Sequence, residues 1–283
     1  MLRSMYAGIS GMKGMQQKLD VIGNNIANVN TSGYKKGRVT FQDMMSQTVS
    51  GAEGPVNDRG GKNPSQVGLG SQLGSIDNIH TQGNRQTTNR PLDLAIEGDG
   101  MFAVADSVEA GDNIGDTYYT RSGNFYLDNQ GDIVNNNGQY LLGESGSNDG
   151  GGDLSKINIP ETAKSFSITS NGSVNYIDDN GDNQVAGQVR MAKFANPAGL
   201  EKAGSNMFRA TNNSGDGIED LADTEIPGTG GSGQLVSGAL EMSNVDLGGE
   251  FTEMITAQRG FQANTRIITT SDEILQELVN LKR

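Results

Sequence analysis

Few residues in this chain have the type and spacing to do chemistry. Asp178-Asp-Asn180-Gly-Asp182 sets oxygen ligands at alternate positions, as a calcium-binding loop does. Such a loop needs Gly sixth and a bidentate Glu twelfth; Asn183 and Val189 stand there, so the stretch predicts a hairpin turn. The single histidine, His80, has no second imidazole and no cysteine thiolate to complete a metal site or a nucleophile–base pair. It reads as a surface or strand residue. No Gly-x-Ser-x-Gly occurs, and no lysine is placed to activate a serine. Gly68, Gly70 and Gly74 lack the spacing that cradles a dinucleotide phosphate. The reading is therefore of a chain that is not an enzyme, with no catalytic residue, no cofactor and no metal.

The bulk numbers narrow the partners. A formal charge of -13 over 283 residues argues against nucleic acid, which needs Lys and Arg to displace counterions. The one basic cluster, Lys35, Lys36 and Arg38, reads as a solvated segment after a helix end. No run reaches the length of a membrane-spanning helix, and Gly8, Ser10, Gly11, Lys13 and Gly14 interrupt what a cleaved signal peptide would need. With 41 glycines but only 6 prolines, the composition is that of a turn-rich folded protein.

What remains informative is the pattern at the two ends. Met5, Met12, Leu19 and Ile26 recur every seven residues, with Leu2 and Ile9 on the neighbouring position and Met15, Ile22 and Val29 beside them. The stripe runs into Asn24, Asn25, Asn28 and Asn30, whose short polar side chains compete for backbone hydrogen bonds, and then Gly33, which supplies a left-handed cap. The helix is expected to end near residue 30. Leu247, Met254, Phe261, Ile268 and Leu275, with Phe251 beside them, repeat the spacing over a helix of roughly 50 Å. Gln16, Gly23, Gln258, Thr265 and Asp272 interrupt the seams, so a two-helix pair would still leave apolar surface for further neighbours.

Between the ends the composition changes twice. From Gln47 to Gly74 the Gly, Ser, Asn and Gln content predicts an extended or irregular connector. From Leu92 to Leu240, short aromatic and β-branched runs such as Met101-Phe-Ala-Val104, Thr117-Tyr-Tyr-Thr120 and Val189-Arg-Met-Ala-Lys-Phe194 alternate with turn signals at Gly131, Gly138, Gly172 and Gly181. Polar excursions are expected over 143–153 and 212–233. The fold class is α+β: N- and C-terminal helices pairing as a coiled coil, with one central antiparallel all-β domain.

Several stretches carry a family resemblance. Leu19-Asp-Val-Ile-Gly-Asn-Asn-Ile-Ala-Asn-Val-Asn-Thr31, Gly33-Tyr-Lys-Lys36, Leu92-Asp-Leu-Ala-Ile-Glu-Gly-Asp-Gly100, Tyr119-Thr-Arg-Ser-Gly123, Leu240-Glu-Met-Ser-Asn-Val-Asp246 and Ala257-Gln-Arg-Gly-Phe-Gln-Ala-Asn264 resemble bacterial flagellar rod and hook proteins, most of all the hook proteins of Bacillus-type flagella. The resemblance covers nearly the whole chain.

It implies a helical homopolymer: residues 1–33 and 241–283 as the helices of an inner core around an export channel, 34–75 as connector, and 76–240 as the outer β domain. It implies a curved hook, a universal joint carrying torque from rod to filament, located outside the cell. The implied partners are the distal rod protein, the hook cap, the hook–filament junction proteins and the flagellar type III export apparatus, with no nucleic acid and no membrane insertion. Phe41 and Met45 match the Phe-x-x-x-apolar export motif of early substrates. The alternative within the family is the distal rod protein; a more distant one is a surface glycan- or calcium-binding β module.

Overall fold

The computed structural model describes residues 2–55, 60–108, 114–145, 154–215 and 224–281. The chain divides into two compact units, one of residues 1–27, 37–79 and 245–283, the other of 28–36 and 80–244.

The first unit holds the two long helices, α1 (Leu2–Ala27) and α2 (Leu247–Leu281). Asp246 starts α2 by accepting a hydrogen bond at Oδ1 from the Gly248 amide, 3.0 Å, which satisfies one of the free donors of the first turn. α1 ends at Ala27, earlier than the asparagine pattern suggests. Asn25 is not part of the stop: its side chain donates to Gly37 O at 2.9 Å and accepts from Gly37 N at 3.0 Å. Asn25 is buried and belongs to the helix, so it ties the returning chain to α1 instead of stopping it.

The connector expected over 47–74 is an antiparallel ribbon. β1 (Gly37–Asp43) pairs with β4 (Ser71–Asn78) from Gly37↔Asn78 to Asp43↔Ser71, with an irregularity at Thr40/Phe41. β2 (Ser46–Ser50) pairs with β3 (Ser65–Gly68), and Met44 N donates to Gly70 O at 2.8 Å where the two pairs join. Periodicity could not reveal this ribbon, because every residue of β3 and most of β2 are exposed and no apolar face is required.

In the second unit the largest sheet has 13 strands among the described residues, all pairings antiparallel. Its main path runs 165–168, 173–177, 183–189, 140–145, 101–105, 117–120, 207–209 and 201–204. The strand Met101–Ala105 is buried along its whole length. Phe102 and Val104 enter one core with Leu94, Ile96 and Phe125, while Met101, Ala103 and Ala105 enter a second with Tyr119, Leu142 and Phe208. Successive side chains point to opposite faces, so a strand apolar at every position is a strand covered twice.

The turn glycines sit where the sequence places hairpins, by a different geometry. Gly131, Gly138, Gly172 and Gly181 have φ between +81° and +87°, and their amides donate to the carbonyls of Asp128, Asn135, Thr169 and Asp178. The residues before them, Gln130, Asn137, Asn171 and Asn180, do not adopt positive φ, so only the glycine is left-handed, as in a type I turn followed by a bulge. Asp178–Asp182 is such a turn. The run expected over 189–194 is two strands, Asn183–Val189 and Met191–Ala192, broken at Arg190. Residues 146–153 and 216–223 of the two polar excursions lie outside the described residues.

Candidate assembly site

In the first unit the helices pack antiparallel, with Ser4 near Ser271, Gly8 against Ile268, Gly11 against Asn264, Met15 against Gly260 and Lys18 paired with Glu253 at 3.1 Å. The closest approach runs through small residues. A Cβ at Gly11 would fall 2.8 Å from Asn264 Nδ2, and one at Gly260 would fall 3.2 Å from Met15 Sδ. Asn25 Nδ2 also donates to Glu250 Oε2 at 3.1 Å, which closes this row of contacts.

The expected apolar stripes flank that row. Met5, Ile9, Met12, Leu19 and Ile26 of α1, and Met254, Phe261, Ile268 and Leu275 of α2, are half-buried, whereas Ile22 is buried. Leu247 and Phe251 are exposed, and so are Ile255, Ile267, Ile274, Leu278 and Val279. The side chain of Leu2 lies outside the described residues. Asn24 and Asn30 are exposed, and Asn28 accepts from the Thr31 amide at 3.2 Å in the turn after α1. Phe41 lays its ring on α1, where a Cβ at Gly14 would lie 3.0 Å from it, and Met45 is 83% exposed.

The second unit contains a charge cluster that sequence reasoning missed. Lys35 (1% exposed), Glu241 (1%) and Arg121 (4%) are buried together. Glu241 accepts from Lys35 Nζ at 2.5 Å, from Arg121 at 3.2 Å and from the Gly83 amide at 2.9 Å. Lys35 also donates to Thr81 O, 2.8 Å, and Arg121 to Gly98 O, 2.7 Å. Burial pulls the Lys35 ammonium below the usual lysine range, and Glu241 opposes that shift.

Gly33 belongs to this cluster and not to the helix cap. Its φ is +69°, its amide donates to Glu241 O at 2.8 Å, and a Cβ there would lie 2.5 Å from Ser122 N. The glycine allows the backbone after α1 to lie directly on Arg121–Ser122. Lys36 N donates to Asn244 Oδ1 at 2.8 Å, and Asn206 Nδ2 to Ser32 O at 3.0 Å.

His80 stands beside the cluster, half-buried, its ring 5.3 Å from that of Phe208. Burial, reinforced by the positive charges of Lys35, Arg121 and Lys202, lowers its pKa to about 4. The signal for this cluster was present in the sequence: Lys35, Arg121 and Glu241 each lie inside a stretch carrying the family resemblance. Charge alone had read Lys35 as solvated.

Comparison with known proteins decides the family. Three family models match in order along the chain: flagella basal body rod protein over residues 5–35, flagellar hook protein FlgE/F/G D1 domain over 95–176, and flagellar basal body rod FlgEFG protein C-terminal over 236–281. The flagellar basal-body rod protein FlgG of Bacillus subtilis is 56% identical over 283 residues, covering 100% of both chains. The chain belongs to the FlgE/F/G family of flagellar rod and hook proteins.

Two further relatives bracket that family. FlgG of Caulobacter vibrioides is 37% identical over 284 residues, covering 99% of this chain and 100% of its own. The hook protein FlgE of Borreliella burgdorferi is 31% identical across an alignment of 453 residues that takes in 100% of both chains. The family is structural, and its members form part of the flagellar axial structure. In this member no described helix is long and apolar enough to cross a membrane.

Proposed function

We propose that this chain polymerises with itself into a hollow axial tube of the bacterial flagellum. In this reading α1 and α2 form the inner wall as a coiled-coil layer around the export channel, and the β unit forms the outer layer. The observation that carries it is the exposure along α2: Phe251, Ile255, Ile267, Ile274, Leu278 and Val279 are exposed on one 35-residue helix. A soluble monomer has little reason to keep so many large apolar side chains in water, and a repeating neighbour would cover them.

Two segments of the axis fit. The hook reading, a curved universal joint outside the cell contacting the distal rod protein, hook cap and hook–filament junction proteins, is supported by the Lys18-Leu-Asp-Val-Ile-Gly-Asn-Asn25 lead and the Phe261-Gln-Ala-Asn264 stretch. The distal-rod reading is supported by length: a relative named as a rod protein aligns over all 283 residues, whereas the hook relative needs a far longer alignment. In either case the chain is a substrate of the flagellar type III export apparatus, and Phe41 and Met45 are its candidate export motif. Electron microscopy of tubes grown from purified protein tests this. Curved, compliant tubes identify a hook and straight ones a distal rod, while a chain that never forms tubes overturns the axial reading.

A further inference from the structure

Two rows of α2 residues face α1, each spaced by seven. In the first, Glu250 accepts from Asn25, Asn264 lies on Gly11 and Ser271 stands beside Ser4; the next member of the row is Leu278. In the second, Glu253 pairs with Lys18, Gly260 lies on Met15 and Ile267 reaches Gly8; the next members are Ile274 and Leu281. Ser271 is level with Ser4 and α1 starts at Leu2, so Leu278 and Leu281 lie past that end of α1. Ile274, Leu278 and Leu281 are 44%, 48% and 82% exposed.

The residue types change where α1 ends. Alongside α1 the two rows hold Glu, Ala, Gly, Asn and Ser with a single Ile; past it they hold only Ile and Leu. A seam that becomes large and apolar where its own partner stops needs another helix to cover it. Charge selects that helix. Glu273 and Glu277 border the apolar seam, and 272–281 contains three acids, all exposed, and no base. α2 as a whole carries five acids against two bases, so a second α2 would set like charges together. α1 carries three bases against one acid. Tyr6, 68% exposed, and Lys13, also exposed, sit two residues on from Ser4 and Gly11, roughly 200° around α1 from the row that faces α2. Arg3 and Ile9 flank them, so this outward face is basic with an apolar centre.

We infer that residues 272–281 of α2 clasp α1 of a second copy of this chain, with Ile274, Leu278 and Leu281 against Tyr6 and Ile9, and Glu273 and Glu277 beside Arg3 and Lys13. The two surfaces differ, so the contact is heterologous and passes from copy to copy instead of closing a dimer. The inference rests on the self-assembly proposed above and adds the surface that joins one copy to the next.

The chain has no cysteine, so introduced thiols report without background. Full-length Leu278→Cys and Tyr6→Cys chains, one of them isotope-labelled, are mixed, assembled well above the parent's threshold concentration and oxidised. A disulfide forms only where the two Cα atoms come within about 7 Å. The expected product, identified by mass spectrometry, joins position 278 of one copy to position 6 of another, in the tubes and not in dilute unassembled chains. Leu278→Ala is expected to raise the concentration at which tubes form by about tenfold, with the helical circular dichroism of the unassembled chain unchanged. Tubes in which position 278 links only to another position 278, or to nothing, overturn the clasp and leave self-assembly standing, and so does an unchanged threshold in Leu278→Ala. A parent chain that never forms tubes removes the self-assembly reading and the clasp with it.

Discussion

The two compact units of this chain solve the burial problem in opposite ways. The β unit closes on itself: Leu94, Phe102, Phe125, Ile133 and Leu141 have no exposed surface, and even its charged Lys35, Arg121 and Glu241 are buried. The helical unit does not. Along the 35 residues of α2 only Glu250, Ala257 and Ser271 are buried, all of them small or polar. An element whose fully buried residues are small or polar while its large apolar residues are half-buried or exposed is incomplete by itself. With the function proposed above, the contrast assigns stability to the β unit and assembly to the helices, and each substitution below strains one side of it.

The largest effect is expected where a buried charge loses its partner. Glu241→Ala leaves Lys35 and Arg121 buried without their carboxylate and is expected to cost about 3–5 kcal/mol of β-unit stability. Thermal unfolding followed by circular dichroism measures it. Ile268→Asp puts a charge into the helix row and should abolish tube formation, as seen by electron microscopy, while the β-sheet signal melts as in the parent. Tubes of normal length from that variant would erase the distinction between the units.

Gly33→Ala comes next. Its Cβ would meet the Ser122 backbone at 2.5 Å, in a left-handed conformation, so a loss on the order of 2–3 kcal/mol is expected in a denaturant midpoint experiment. His80 gives a pH signature. Its folded pKa of about 4 lies below the unfolded value near 6.5, so the unfolded state binds more protons in that window. Stability is whole above about pH 6.5 and falls as pH drops through 4, by at most about 3 kcal/mol from this group. The parent minus His80→Phe difference in stability across that range isolates it from the carboxylates. The smallest effect is expected at Gly23, where a Cβ would meet nothing within 4 Å: Gly23→Ala should raise helical-unit stability by up to ~1 kcal/mol without altering the β unit.

The sequence exposed what periodicity and turn chemistry can encode. Both helices, the all-β middle and the four glycine turns were legible, because heptad spacing and Asn-Gly or Asn-Gln-Gly turn signals act locally. The β2–β3 pair was not, since strands exposed on both faces carry no alternation. Gly33 was legible as left-handed but not as the place where two backbones touch, which depends on Arg121 and Ser122 some 90 positions away. Lys35 shows the same limit: a lysine beside another lysine reads as solvated until a distant Glu241 is folded over it. Met15 and Ile268 of the expected stripes lie in the row of helix contacts, whereas Gly8, Gly11 and Gly260, which permit the close approach, give no apolar signal.

Hydrogen exchange on the unassembled chain and on assembled tubes bears most directly on the claim that the helices are completed by other copies while the β unit completes itself. Amides of 94–105 and 133–145 are expected to be equally protected in both states. Amides of 2–27 and 247–281 are expected to exchange readily before assembly and to become strongly protected in the tube. Helices as protected in the unassembled chain as in the tube would contradict the account.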